Sequence, residues 1–462
     1  MKRTCILAAG AVLHLCLGTI YAFSFFQKPL MATYGWTNGQ TAGVFSLAIL
    51  FLGLAAAVGG PLLRRTGPRP LAAAGALLYA GAWLAGSWAL AHRNLPLFQV
   101  LFGVMGGIGL GLAYVTPVAT VAKWFPHKNG FAAGIVVMGF GLGALFMSKL
   151  LAPQFWRITG GSLPDVFRLT GWLLLAVSLP AALLLADPPA PAADASPAGA
   201  VPAAPPPVSD TFPSWSFAWV WLVFFCNITA GIIFIGFQSP LLQDGLAARN
   251  PRLTTAELAT AGATLIAASA VCNGLGRSLW GALSDRLGGL ATFRILLGAQ
   301  LAVFLLLTVA GHPAVLFVGV CAVLLCYGGG FGALPLLIAE RYGPSALPRA
   351  YGAVLTAWGA AGVAGPQLAA FLRDRAAGRA VLFGLAALIL ALGLAATGGL
   401  RRHRRLGTTP FRPPAGLSRR RQSSDKEGVE TKDGDERGND DVASPRAVAF
   451  AKTPFFRPHV SF

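Results

Sequence analysis

Apolar runs of about 18 residues or more recur from the start of this chain to near residue 400, separated by short charged loops. Runs of that length read as membrane-crossing helices, and a chain built from them has little choice of fold class. Composition agrees. The 462 residues are 55% hydrophobic and 11% charged, too little charge to cover a soluble surface of this size. Fifty-seven glycines suit helices that pack closely in lipid.

Twelve helices are expected, near residues 4–27, 38–63, 70–91, 96–122, 130–152, 164–186, 216–240, 258–283, 292–310, 314–340, 350–372 and 379–400. The fold class is all-α membrane, with two six-helix halves, residues 1–186 and 215–400. Between them, residues 187–214 are rich in Pro and Ala and hold no Lys or Arg, the composition of a flexible linker. Residues 401–462 alternate basic and acidic clusters without apolar periodicity, the pattern of a disordered tail. Its first cluster, Arg401–Arg405, is placed to meet anionic headgroups.

The halves read as copies of one another. Gly18-Thr-Ile-Tyr21 to Gln27-Lys-Pro29-Leu30 is echoed by Gly231-Ile-Ile-Phe234 to Gln238-Ser-Pro240-Leu241. Gly60-Pro-Leu-Leu-Arg64-Arg65-Thr-Gly67 is echoed by Gly281-Ala-Leu-Ser-Asp285-Arg286-Leu-Gly288, and Gly107-Ile-Gly109-Leu-Gly111 by Gly328-Gly-Gly330-Phe-Gly332. Three echoes in one order argue against chance similarity of glycine-rich helices.

Charge and cysteine usage narrow the function. The net charge of +19 is spread over loops and tail rather than gathered on one face, which argues against a nucleic-acid partner. Six cysteines fall in apolar segments with no disulfide framework or metal spacing, and neither a metal nor another cofactor is expected. Met1-Lys2-Arg3 before an apolar run resembles a signal peptide, but the run continues to Phe26 without an evident cleavage site, so a first membrane helix is expected. Arg and Lys are denser in the loops that share a side with the N-terminus. Both termini are therefore expected in the cytosol, in a monomer, at the plasma membrane ahead of an organelle membrane.

One charge lies out of place. Arg277 precedes Asp285 by eight residues, about 12 Å along a helix, which puts its guanidinium well inside the hydrocarbon. Intramembrane arginine is costly and is a functional residue by default; the competing reading is a structural arginine tied to helix-end carbonyls. Asn273, one turn earlier on the same face, is placed to orient it. The acidic residues of the helical region map to loops or helix ends, so no carboxylate is available near midplane to carry a proton. His14, on one stripe with Gly18, Tyr21 and Lys28, is the titratable alternative as a proton site, against the plainer reading of a neutral histidine hydrogen-bonded between helices. Tyr21, Tyr114, Phe140, Tyr327, Phe331 and Trp358 read first as packing or lipid-belt aromatics. Phe140 and Trp358 occupy matching positions, 218 residues apart, which favours a pair lining a central cavity. Lys28 reads as a boundary residue reaching toward water, or as a second cation. No nucleophile–base pair is apparent at membrane depth, so an enzyme is not expected.

Gly281-x-x-x-Asp285-Arg286-x-Gly288 resembles the signature loop of the major facilitator superfamily, and Arg64 stands where the first-half copy would carry its acid. The resemblance implies twelve helices around a central site, with Gly281, Asp285, Arg286 and Arg64 in the gating loops. There the Asp285 carboxylate would accept from helix-start amides and cationic partners. A narrower resemblance, to the oxalate/formate antiporter group, rests on Gly18-Thr-Ile-Tyr21-Ala-Phe-Ser-Phe-Phe-Gln27-Lys-Pro29-Leu30, Gly35-Trp36-Thr37, Lys123-Trp-Phe-Pro126-His-Lys128-Asn-Gly130 and Asn273-Gly-Leu-Gly-Arg277. In that group an arginine on helix eight and a lysine on helix eleven hold the two carboxylates of oxalate. Arg277 matches the arginine, Tyr21 and Gln27 match pocket residues, and Tyr327 and Phe331 fall where helix ten supplies aromatics. Trp358 stands where the lysine belongs. One guanidinium fork suits one carboxylate, and an unpaired second one would cost several kcal/mol in low dielectric. The expected substrate is a small monocarboxylate such as pyruvate, lactate or formate, moved by antiport or by facilitated or proton-linked flux. The rival expectations are another small solute (a dicarboxylate, amino acid, sugar or drug) and a receptor or scaffold that keeps the fold without transport.

Overall fold

The computed structural model describes residues 2–125, 129–189, 215–343, 347–376 and 378–406. Within them the chain is all helix, with no strand. Twelve helices are long and apolar enough to cross a membrane: α1 (Arg3–Tyr34), α2 (Asn38–Thr66), α3 (Pro68–Ala91), α4 (Leu95–Trp124), α5 (Ala132–Ile158), α6 (Leu163–Leu184), α7 (Trp215–Arg249), α8 (Thr255–Leu287), α9 (Gly289–Val309), α10 (Pro313–Tyr342), α11 (Ala350–Asp374) and α12 (Arg379–Leu400). Nearly all of the expected linker and tail lies outside the described residues.

Two helices outrun the sequence expectation. α1 continues past Lys28 and Pro29 to Tyr34, where Gly35 closes it at φ 72°, and α7 continues past Pro240 to Arg249. A proline in a helix removes one backbone hydrogen bond, and packing of α1 against α7 sustains both helices through it. The helix of α12 also runs on to Leu406, so the Arg401–Arg405 cluster opens no separate tail. It occupies the last turns of that helix.

The repeat is visible in local chemistry. α2 opens on a capping box of Thr37 and Gln40, and α8 on one of Thr254 and Glu257. Each box satisfies two orphan amides at a helix start. α2 ends at Gly67 (φ 77°) and α8 at Gly288 (φ 83°), positive angles that glycine adopts without steric cost. α3 and α9 start directly after them.

The halves meet along two related seams. In α2, a Cβ on Gly53 would lie 2.9 Å from the Gly359 Cα of α11; in α5, one on Gly141 would lie 2.7 Å from the Gly274 Cα of α8. Gly53 and Gly274 are 221 residues apart, the offset of two of the sequence echoes, and Gly141 and Gly359 are 218 apart, the offset of Phe140 and Trp358. Backbone-to-backbone approach through small residues is how membrane helices gain dispersion contact. A comparable approach joins α1 to α5, where a Cβ on Gly18 would meet the Phe140 backbone. At that point α1 tightens into a 3-10 turn, Gly18–Ala22, which carries Tyr21. A mid-helix stretch of this kind marks a hinge or a functional position.

At this loop the carboxylate that accepts from a helix-start amide is Glu340 rather than Asp285. Asp285 and Arg286 are exposed, as is Arg64, and Gly281 is half-buried. Asp285 makes no hydrogen bond or ion pair among the described residues. Glu340, from α10, accepts from the Gly289 amide at 3.1 Å and so caps the start of α9. Asp285 stands on the solvent side of the last turn of α8, whereas Glu340 comes from a neighbouring helix and lies over the α9 amides.

Candidate functional site

Arg277 of α8 is 2% exposed and lies among aromatic side chains of both halves. Its Nη1 donates to the Tyr114 hydroxyl of α4 at 3.2 Å, and its Nε donates to Asn273 Oδ1 at 3.3 Å. The guanidinium carbon is 4.4 Å from the ring centre of Phe331 and 5.6 Å from that of Phe140, within cation–π range. Nη2 has no hydrogen-bond partner. Among the described residues no carboxylate pairs with this arginine, and the ion pairs that exist lie elsewhere. A buried cation with neither counter-ion nor full hydrogen bonding is expensive to keep.

The walls close tightly. Tyr21 and Tyr327 share a hydrogen bond between their hydroxyls at 2.6 Å, joining α1 to α10 across the halves. Trp358 is fully buried, with ring centres of Phe331 at 4.8 Å, Tyr114 at 5.3 Å and Phe140 at 5.8 Å. The Phe140–Trp358 pair expected from matching positions is therefore in contact. Trp358 Nε1 is a second buried donor without a partner. Next to this cluster is a void of about 10 Å³, room for roughly one water. The site is thus packed shut around its charge.

Most of the sequence candidates come together here: Arg277, Asn273, Tyr21, Tyr327, Phe331 and Trp358. Gln27 does not line the void. It is buried with both amide atoms unpartnered, while its repeat counterpart Gln238 does line it. His14 packs beside the cluster, 5.0 Å from Tyr114 and 6.3 Å from Phe140 between ring centres. Its Nδ1 donates to the Gly10 carbonyl of its own helix at 3.2 Å. Tyr114, read from sequence as packing, is the arginine's hydrogen-bond partner, a contact between α4 and α8 that no spacing along either helix reveals. Ser269, which also lines the void, was legible in principle: Ser269, Asn273 and Arg277 repeat at four residues on one face of α8.

Lys28 is engaged by an acid of the other half. Its Nζ donates to Asp244 of α7 at 2.7 Å, and Arg373 of α11 donates to the other oxygen of Asp244 at 2.6 Å. Beside them, Asp374 accepts from the backbone amides of Asn38 and Gly39 at 3.1 and 2.9 Å, and from Asn38 Nδ2 at 2.8 Å. Helices of one half are thereby tied to helices of the other at the Lys28 end of the bundle. Among the described residues no group of three or more His, Cys, Asp or Glu is placed to hold a metal ion. Pro126, His127 and Lys128 lie outside the described residues.

A multi-pass integral membrane protein with a central charged site between two repeated halves is a membrane transporter by architecture. The chain belongs to the major facilitator superfamily: the family model of that description matches residues 7–366 and 239–423. It is 28% identical over 447 residues to apicoplast pyruvate carrier 1 of Toxoplasma gondii, covering 74% of this chain and 78% of that protein. It is 26% identical over 373 residues to the oxalate:formate antiporter of Oxalobacter formigenes, covering 78% and 82%. A shorter match, 28% over 159 residues, reaches human monocarboxylate transporter 14, covering 33% of this chain and 30% of that protein. Among solved structures, a bacterial homologue of the human lysosomal transporter Spinster, inward-facing and occupied, superposes with a TM-score of 0.59 at 18% identity, over 86% of this chain and 96% of that one; this likeness concerns the fold. These relatives are transporters, not enzymes.

Proposed function

We propose that this protein carries a small monocarboxylate across the membrane by alternating access, with the carboxylate held by Arg277. The observation that carries the reading is the guanidinium itself: buried, walled by Phe331, Phe140 and Trp358, and left with Nη2 free and no acidic partner. One fixed cation neutralises one carboxylate. Lys28, the other cation considered, is engaged by Asp244, so a dianion would keep a second charge uncompensated in low dielectric. The relatives' names, which include pyruvate, oxalate with formate, and monocarboxylates, support a small organic acid and do not separate one acid from another.

The packed site implies that the halves part to admit substrate. The Asp244 and Asp374 contacts close the Lys28 end, and this reading places that end outside with both termini in the cytosol. The test is counterflow in proteoliposomes with a panel of labelled mono- and dicarboxylates, wild type beside Arg277→Lys. Monocarboxylates should exchange in the wild type, and lysine, which keeps the charge and loses the planar fork, should lower the flux at least about tenfold. Exchange of oxalate without exchange of monocarboxylates would overturn the reading.

A further inference from the structure

We propose that Gln238, Ser269 and Asn273 form a neutral subsite beside Arg277. It would recognise an oxygen on the carbon next to the carboxylate, and it would make the preferred substrates 2-oxo and 2-hydroxy monocarboxylates. The proposal rests on the carboxylate reading of Arg277 and deepens it. These three residues line the void next to the aromatic cluster, together with Tyr21. Each is 2% exposed or less. Around the rest of the void are Ile235, Ile266 and Leu324, so polar groups occupy part of an otherwise apolar wall, the usual pattern of a small-ligand site.

The hydrogen-bond inventory says which groups remain for a ligand. Ser269 Oγ donates to Gln238 Oε1 at 2.7 Å, which orients the Gln238 amide and leaves Nε2 as its donor. Asn273 Oδ1 accepts from Arg277 Nε, which leaves Nδ2. Neither amide nitrogen donates to any described residue. Two amide N–H₂ groups from residues that line the void, without an acceptor among the described residues, suit an acceptor oxygen placed in it. They carry no charge, so a ketone or hydroxyl oxygen satisfies them while a second carboxylate would not be neutralised. Asn273 belongs to both groups: it touches the guanidinium and lines the void. The carboxylate position and the donor pair are therefore adjacent, one helical turn (about 6 Å) apart along α8. The void supplies the volume of about one water in this closed state, and parting of the halves supplies the rest.

A site that hydrogen-bonds a substrate oxygen rejects the analogue lacking it, because the buried donors are then left unpaired. The experiment is proteoliposome counterflow with labelled pyruvate, lactate and propionate, for the wild type, Gln238→Leu and Ser269→Ala. Wild-type protein should favour pyruvate over propionate in Vmax/KM by about tenfold or more. In Gln238→Leu that ratio should collapse to about threefold or less with propionate flux retained, and Ser269→Ala should fall between. If Gln238→Leu carries no flux, the shape-conserving Gln238→Met takes its place. An unchanged ratio in both Gln238 and Ser269 variants would assign the void to water and packing and overturn the subsite. No wild-type preference would do the same. Failure of all three acids to exchange in the wild type would instead sink the Arg277 reading, and the subsite with it.

Discussion

Arg277 of α8 and Tyr114 of α4 are joined by a 3.2 Å hydrogen bond from Nη1 to the phenol oxygen, so the buried cation of one half is oriented by the other. A hydrogen bond from a charged group contributes about 1.5–3 kcal/mol. With the carboxylate on Nη2, Tyr114 fixes the direction in which the fork points. Tyr114→Phe should raise the KM for monocarboxylate about tenfold with Vmax largely kept, read from the concentration dependence of counterflow. An unchanged KM would show that Asn273 suffices to hold the guanidinium.

The Lys28 end should respond to loss of Asp244. Its carboxylate bridges Lys28 and Arg373 across the halves, and the side chains involved are 37%, 44% and 22% exposed for Lys28, Asp244 and Arg373. At such exposure each pair is worth at most about 1 kcal/mol and is screened by salt. Asp244→Asn should therefore shift the closed population about fivefold toward a state open at this end. Reactivity of a cysteine introduced at Leu30 toward a polar maleimide would report it. Raised ionic strength should mimic the substitution in part; no change in reactivity would mean the glycine seams alone hold this end closed.

Glycine tolerance should follow backbone approach rather than burial. A Cβ on Gly141 meets Gly274 backbone atoms at 2.7 and 2.8 Å, whereas nothing lies within 4 Å of a Cβ on Gly81. Backbone cannot move aside as a side-chain tip can. Gly141→Ala should lower the melting temperature in detergent, while Gly81→Ala, inside α3, should leave it unchanged or raise it, with a gain in stability of up to about 1 kcal/mol. Equal melting temperatures for the two variants would contradict the α5–α8 seam.

Two acids near the signature loop should separate by readout. Glu340 accepts from the Gly289 amide at the start of α9, while Asp285 is exposed and unpaired among the described residues. Glu340→Ala should cost about 1 kcal/mol, as loss of a helix N-terminal acceptor does, and Asp285→Asn should stay within about 0.5 kcal/mol. Thermal unfolding of the two variants side by side checks the order.

His14 should leave the pH profile alone. Its Nδ1 is occupied by Gly10 of its own helix and its ring packs on Tyr114 and Phe140, the contacts of a packing residue. Transport by His14→Ala should therefore keep the wild-type pH dependence at reduced stability. Loss of that dependence would assign proton coupling to His14.

The twelve helices, the repeat and the buried arginine were all legible in the amino-acid order. Length and hydropathy decide whether a segment crosses a membrane, and an eight-residue count from Asp285 places Arg277 in the hydrocarbon. These are local properties of a chain in lipid, where each helix satisfies its own backbone. The offsets of 221 and 218 relate the two glycine seams to each other, because pseudo-symmetric halves repeat their contacts. Helix ends were less legible at Pro29 and Pro240, since packing across the halves carries α1 and α7 beyond signals that would stop an isolated helix.

Partners could be decided only by the fold. Lys28 had two plausible uses in the sequence, and Asp244, more than two hundred residues away, chose a third. Gln27 matched a known motif while its repeat counterpart Gln238 took the place beside the void. Tyr114 looked like packing until α4 and α8 were brought together. A side chain's chemistry is written at its own position, but burial and hydrogen-bond partners are set by helices that meet only after the chain has folded. For this protein that division leaves the cation and the lack of midplane acids to the sequence, and to the tertiary structure the Tyr114 hydroxyl that orients the guanidinium.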